Sequence, residues 1–432
     1  MERKVQNRLL AWKNSKDRKP MILHGARQVG KTFALLSFGK EHYKNTAYFD
    51  FEGNSDLQNI FNMNLDPERI VRELSAYIGQ SILKGETLLI FDEIQSCGKA
   101  LTSLKYFYEN APGYHIIAAG SLLGVAAIRQ GFSFPVGKVE METLYPMDFE
   151  EFLWAVSGKD LAVMIREAFQ LNKEFALHNK ALELYRSYLV IGGMPAAVST
   201  FMQNNDYNFV SAAQKYILNS YIADMAKYTS PYDNVKIKAV FNSIPSQLAK
   251  ANTKFQYSMI KTGARAYAYE TPIDWLKESG IIAKCTKVTE SKLPLSFYTD
   301  PSSFKVYLTD IGLLCNLIEI PVNMVLAESS GYDNFKGAMT ENYVAGALTA
   351  AKIPLYYWES AGKAELDFVY QDKSGSIIPV EVKSSDNVKS KSLNEFVRRY
   401  DPPYSVRISA KNFGFENKIR SVPLYAVFCL EE

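Results

Sequence analysis

Apolar runs separated by polar turns divide the chain into segments with two different periods. MIL at 21–23 is a short apolar strand leading into His24 and Gly25, and FALLSFGKEH at 33–42 has helical spacing. TAYFDFE at 46–52 reads as a strand, TLLIFDE at 87–93 is apolar almost to its end, and HIIAAGS at 115–121 follows the helical LTSLKYFYEN at 101–110. An unbroken apolar strand is expected where both faces of a parallel sheet are covered. Strands alternating with helices predict a three-layer α/β domain whose ligand lies at the carboxyl ends of the strands.

From about 150 to 230 the pattern becomes helical and rich in aromatics (EEFLWAVSG, ALELYRSYLVIGGMPAAV, AAQKYILNSYIADMAKY). GGMP at 192–195 punctuates it and is expected to be a helix terminus rather than a hinge. Residues 236–310 predict a winged helix. KAVFNSIPSQLAKAN comes first, then SMIKTG, then TPIDWLKES, with Thr271 as N-cap, Pro272 and Asp274 in the first turn and Gly280 as the stop. IIAKCTKV and FKVYLTD would form the wing. A DNA-reading helix carries Arg, Asn, Gln or Lys outward. Only Lys277 and the preceding Arg265 are on offer, so protein–protein packing is the better expectation for this module.

The chemistry concentrates at three strand ends. MILHGARQVGKT at 21–32 fits GxxxxGK[ST] between a strand and a helix. There the backbone of Gly25, Ala26, Arg27, Gln28, Val29 and Gly30 would curl around phosphate oxygens, aided by the helix dipole. Lys31 would reach the β- and γ-phosphates and Thr32 would ligate Mg²⁺. TLLIFDE ends in two carboxylates: Asp92 is placed to hold Mg²⁺ through water, and Glu93 to orient the attacking water. Ser121, ending the strand expected between these two, is assigned as a γ-phosphate sensor, with a plain strand-ending serine as the competing reading. Nothing in the first domain matches the guanine-reading NKxD string, so ATP is the expected nucleotide.

Composition bounds the remainder. A chain of 432 residues and 48.7 kDa exceeds a single core, so two or three domains are expected. A net charge of +3 does not by itself demand nucleic acid, although residues 1–20 carry seven Lys/Arg against two acids and residues 383–420 carry nine against four. Cys97, Cys285, Cys315 and Cys429 are too scattered for a zinc site or disulfide framework, which fits a reducing cytoplasm. No signal-peptide core and no membrane-spanning apolar run is present in the sequence, so a soluble cytoplasmic protein is expected.

HGARQVGKT, LLIFDEIQ, the Gly120–Ser121 pair and FPVGKVEMETLYPMDFEEFL together resemble a group of prokaryotic AAA-superfamily ATP-binding proteins. The resemblance continues through GGMP and a winged-helix-like segment into a carboxyl-terminal region of unknown function. It implies an AAA-type P-loop ATPase domain over 1–150, a helical and winged-helix-like part over 151–325, and a last domain over 326–432. That family has Gly-Arg where this chain has Gly137–Lys138, which implies Lys138 as the position from which a cation would reach the transferring phosphate; a plain surface lysine is the competing reading. Lys138 keeps the charge and loses the bidentate fork.

In the last domain, Gly337-x-x-x-Glu341 precedes LYYWES, ELDFVY, the turn DKSGS and IIPVEVKSS. The spacing resembles the PD-(D/E)xK core of restriction-endonuclease-like α/β domains. That resemblance implies a second metal held by Asp367 and Glu381, with Glu341 behind them and Lys383 beside a scissile phosphate. The competing reading is an exposed edge hairpin whose alternation places Glu381 and Lys383 together automatically. Lys389, Lys391, Arg398 and Arg399 downstream would suit a phosphate backbone or solvent equally. The expectation for the whole is an ATP- and Mg²⁺-dependent ATPase acting through DNA or a partner protein, with no membrane partner, and compatible with an oligomer. The alternative is a slow ATP-dependent switch or scaffold with a catalytically silent nuclease-like domain.

Overall fold

The computed structural model describes residues 1–121, 134–250, 254–327, 333–360, 364–384 and 391–431, so Lys389 lies outside the described residues. The chain forms two compact units, one of residues 2–145 with 278–280, the other of 146–277 and 281–432 together with Met1.

In the amino-terminal unit, helix α1 (Val5–Lys13) precedes strand β1 (Met21–His24) and helix α2 (Lys31–His42). Strand β2 (Asn45–Asp50), helices α3 (Ser55–Met63) and α4 (Pro67–Ile78), strand β3 (Thr87–Asp92), helix α5 (Gly98–Asn110), strand β4 (His115–Gly120) and strand β5 (Glu140–Thr143) follow. Local chemistry sets these boundaries. Asn54 and Asp66 cap α3 and α4 by accepting from Leu57 N and Arg69 N, Pro67 opens α4, and left-handed Gly79 closes it.

The strands are parallel in the order β2-β3-β4-β1-β5. β3 and β4 are buried along their whole length, as unbroken apolar runs require. Phe49, Phe51, Phe61, Phe91 and Phe107 pack edge to face above β3 and hold its carboxyl end in place. β4 lies between the two chemistry-bearing strands, as its sequence position predicts.

The second unit begins with helices α6 (Phe149–Val156), α7 (Asp160–Leu171), α8 (His178–Ile191), α9 (Pro195–Asn204), α10 (Tyr207–Lys227), α11 (Pro231–Leu248) and α12 (Glu270–Glu278). Asp148 and Glu151 form a reciprocal capping box on α6. Gly192 ends α8 and Pro195 opens α9, so GGMP is a helix junction. A Cβ on Gly193 would lie 1.9 Å from Met147 O, and one on Gly192 2.4 Å from Asp310 Oδ1. Gly193 is required by close backbone approach, and Gly192, at φ 72°, by the Asp310 carboxylate packed against it.

Strands β6 (Ile282–Val288) and β7 (Thr299–Leu308) are followed by helices α13 (Ile311–Ile318), α14 (Val322–Leu326) and α15 (Asp333–Ala350). Then come β8 (Tyr356–Ser360), β9 (Ala364–Gln371), β10 (Ile377–Val382), helix α16 (Lys391–Tyr400), β11 (Ser405–Ser409), β12 (Gly414–Glu416) and β13 (Ile419–Pro423). They form one mixed sheet in the order β12-β13-β11-β10-β9-β8-β6-β7.

Two expectations need correction. The strands read as a wing do form an antiparallel hairpin, but β6 pairs in parallel with β8 through Thr286 and Tyr356, so the hairpin is the edge of the carboxyl-terminal sheet. The division expected at 325/326 therefore does not coincide with a break in that sheet. Thr271 does not cap α12, because the helix already includes Glu270. Among the described residues no helix is long and apolar enough to cross a membrane.

Candidate functional site

The turn after β1 is fixed by backbone constraints. Gly25 has φ 149° and a Cβ there would sit 2.1 Å from Leu144 O, so only glycine fits. Gly30, at φ 93°, swings the chain into α2 and accepts the first helical hydrogen bond from Ala34 N at 2.9 Å. Arg3 Nη1 braces the loop from behind by donating to Val29 O at 2.8 Å. The first-turn N–H groups of α2 thus open on the cradle, where an anion is favoured.

Lys31 is buried, and its ammonium donates to Gly25 O and Ala26 O at 2.9 Å each. Thr32 Oγ1 donates to Asp92 Oδ2 at 2.6 Å, and Tyr48 OH donates to the same oxygen at 3.0 Å. Asp50 on β2 sits in register with Asp92 on β3, adding a carboxylate beside it.

Glu93 turns out of β3 in the left-handed region, at φ 48°, with its N–H donating to Asp92 Oδ1 at 2.9 Å. Burial pushes its carboxyl pKa up, while Gln95, donating from Nε2, and the charges of Lys31 and Arg27 pull it back. Arg27 in turn pairs with Glu52 at 3.6 Å. Ser121 is buried and directly follows Gly120, which pairs with His24 at the mouth of the loop.

Thr32 and Asp92 supply the hard oxygens that Mg²⁺ prefers, next to backbone donors suited to phosphate, so the residues present fit a metal–nucleotide complex. The structure brings Lys31, Thr32, Asp92 and Glu93 together and keeps Lys138 apart from them. Lys138 lies just before Glu140, which pairs with Met21 at the amino-terminal edge of the sheet, opposite the loop. Its ammonium holds Glu109 at 2.9 Å and lies 5.5 Å from the Tyr108 ring, and the Glu109 bond raises its pKa. Tyr48, Gln95 and the Arg27–Glu52 pair were not anticipated. Tyr48 shares a face of β2 with Asp50, but its reach to Asp92 follows only from the strand pairing.

The carboxyl-terminal residues also converge. Asp367 on β9 and Glu381 on β10 lie on antiparallel neighbours joined by the 372–376 turn. β10 is interior, between β9 and β11, and Glu381 is buried, so the edge-hairpin reading does not apply. Burial raises the Asp367 carboxyl to about 8, with Glu341 and Glu381 adding to the shift, while Lys305 and the Val382 N–H, 2.7 Å away, oppose it. Lys383 Nζ pairs with Glu381 Oε1 at 2.5 Å; burial pulls its pKa down, but Glu381, Asp367 and Glu341 leave it raised.

Lys305 on β7, unforeseen in the sequence, enters the same cluster. Its ammonium lies 2.9 Å from Glu341 Oε1 and 2.6 Å from Glu365 Oε1, and Tyr307 OH donates to that Glu341 oxygen. As they stand, these carboxylates do not fit a metal: ammonium groups already pair with Glu341 and Glu381, and Asp367 accepts from the Val382 N–H. Among the described residues no group of three or more His, Cys, Asp or Glu side chains is arranged to hold one.

Comparison with known proteins agrees with the amino-terminal geometry. Residues 17–153 match the family described as an AAA domain, residues 182–323 a domain of unknown function (DUF8612), and residues 336–427 another (DUF4143). No curated protein matches the chain. Among solved structures, a Walker-type ATPase of Pyrococcus abyssi is similar at 15% identity and TM-score 0.44, over 73% of this chain and 95% of that one. The ORC2 protein of Aeropyrum pernix in ADPNP–ADP complexes is similar at 14% identity and TM-score 0.35, over 74% and 91%. AMPPCP-bound DnaA of Aquifex aeolicus is similar at 12% identity and TM-score 0.27, over 64% and 90%. With its family match and five-stranded parallel sheet, the amino-terminal unit has the P-loop fold of the AAA type, joined in one chain to two regions of unknown function.

Proposed function

We propose that the chain binds ATP with Mg²⁺ at the β1–α2 loop, hydrolyses it slowly, and uses the nucleotide state to control its carboxyl-terminal unit. The observation that supports this is the 2.6 Å contact between Thr32 Oγ1 and Asp92 Oδ2, two oxygen groups that would hold Mg²⁺ at the end of the loop. Residues 25–30 offer backbone donors, and Lys31 needs only to exchange two loop carbonyls for phosphate oxygens. Bound Mg²⁺ would neutralise charge developing on the phosphates, held by Thr32 and Asp92.

Glu93 orients the water: its raised pKa makes the carboxylate a better proton acceptor, and Gln95 fixes its rotamer. Ser121, at the end of the strand between the two, senses the γ-phosphate. Slow turnover is expected because Lys138, paired with Glu109 near the edge of the sheet opposite the loop, supplies no cation to the phosphates. Control of the carboxyl-terminal unit, toward DNA or a partner protein, is the output of this cycle.

Phosphate release should require Mg²⁺ and be lost in Lys31→Ala and Glu93→Gln. Release surviving both substitutions would place hydrolysis elsewhere.

A further inference from the structure

A buried lysine is rare unless its charge is met at once. Lys305 is 1% exposed in its side chain, and it is met by two carboxylates, Glu341 and Glu365, with the Tyr357 ring 5.0 Å from the ammonium. The remaining members are each committed through one oxygen. Asp367 Oδ2 accepts from Val382 N, and Glu381 Oε1 from Lys383, leaving Glu381 Oε2 buried without a partner.

A divalent ion in this cluster would need several of those oxygens at about 2.0–2.6 Å. It would have to take them from two ammonium groups and then sit against the same positive charge. We infer that Lys305 is the resident cation of the carboxyl-terminal cluster, occupying the place where Glu341, Asp367 and Glu381 would otherwise converge on a divalent metal. The nuclease-like unit is then a binding element without metal-dependent cleavage. A side chain delivered from β7, which the chain pattern assigned to a separate wing, closes the site from within its own sheet. This inference does not depend on ATP hydrolysis at the other unit.

The test uses full-length, nucleotide-free protein carrying Asp92→Asn, so that the P-loop cannot contribute a metal site, and Mn²⁺ titration followed by electron paramagnetic resonance. That background should show no saturable Mn²⁺ site that Asp367→Asn removes. Adding Lys305→Met should create one saturable site, lost again on Asp367→Asn. If Lys305→Met does not fold by circular dichroism, Lys305→Met with Glu365→Gln removes one charge of each sign and should gain the same site. A saturable, Asp367-dependent site in the background, or a folded Lys305 variant that gains none, overturns the inference.

Discussion

Thr32 Oγ1 and Asp92 Oδ2 meet at 2.6 Å although 60 positions separate them in sequence. Thr32 lies in the first turn of α2, which follows β1, and β1 is not a neighbour of β3 because β4 runs between them, so the contact bridges over the carboxyl ends rather than along the hydrogen-bond ladder. A hydrogen bond to a charged group contributes about 1.5–3 kcal/mol, so Thr32→Ala or Asp92→Asn should weaken Mg·ATP binding about tenfold to a hundredfold. Thr32→Ser should bind as the parent does. Fluorescent-nucleotide titration with Mg²⁺ and with EDTA checks this, since a loss of equal size in EDTA would show that the two groups do not act through the metal.

Gly193→Ala should destabilise the second unit by about 2 kcal/mol or more, because its Cβ would stand 1.9 Å from Met147 O and disturb the Gly193 N–H, which donates to Asp310 at 2.6 Å. Gly337→Ala meets open space within α15 and should be neutral or stabilising by about 0.5–1 kcal/mol. Thermal unfolding of both variants separates packing from backbone freedom; equal effects would refute the steric argument.

Acid should weaken the amino-terminal unit through His115. Burial, with Arg18 and Lys13, pulls this imidazole down to about 4, and Tyr43 OH lies 2.7 Å from Nδ1. Between the ordinary histidine value of about 6.5 and that lowered value, the unfolded chain binds more protons than the folded one. The contribution is fully present above the unfolded pKa and is lost as pH falls toward 4. Urea midpoints measured from pH 7 to pH 4 should drop less steeply in His115→Gln than in the parent; parallel curves would remove His115 from the account.

Lys138→Ala should change ATP turnover by less than about twofold, the scale expected when a charge is remote from the reacting phosphate. A tenfold or larger loss in steady-state phosphate release would return Lys138 to the site.

The elements of the candidate nucleotide site were legible because its parts are contiguous: strand, glycine turn and helix within 21–42, and an unbroken apolar strand ending in Asp92 and Glu93. For Lys138 the sequence left a phosphate-reaching cation and a plain surface lysine both open, because a residue beside a conspicuous Gly carries no record of which end of the sheet it occupies. Only the pairing of Glu140 with Met21 reveals that. Glu341, Asp367, Glu381 and Lys383 were found as a group because a hairpin and a helix set their spacing. Lys305 escaped because alternation in FKVYLTD describes a strand without naming its partner, and the parallel β6–β8 pairing that joins the hairpin to the sheet is long-range. Tyr48 was missed for the same reason, one strand away from the carboxylate it serves.

Hydrolysis of ATP by water held at Glu93 is tested by single-turnover phosphate release in Glu93→Gln. ATP affinity should stay close to that of the parent protein, since Gly25 to Thr32 and Asp92 are untouched, with release slowed by about a hundredfold or more, the scale of a lost general base. Release at the parental rate from a variant that still binds Mg·ATP would contradict it.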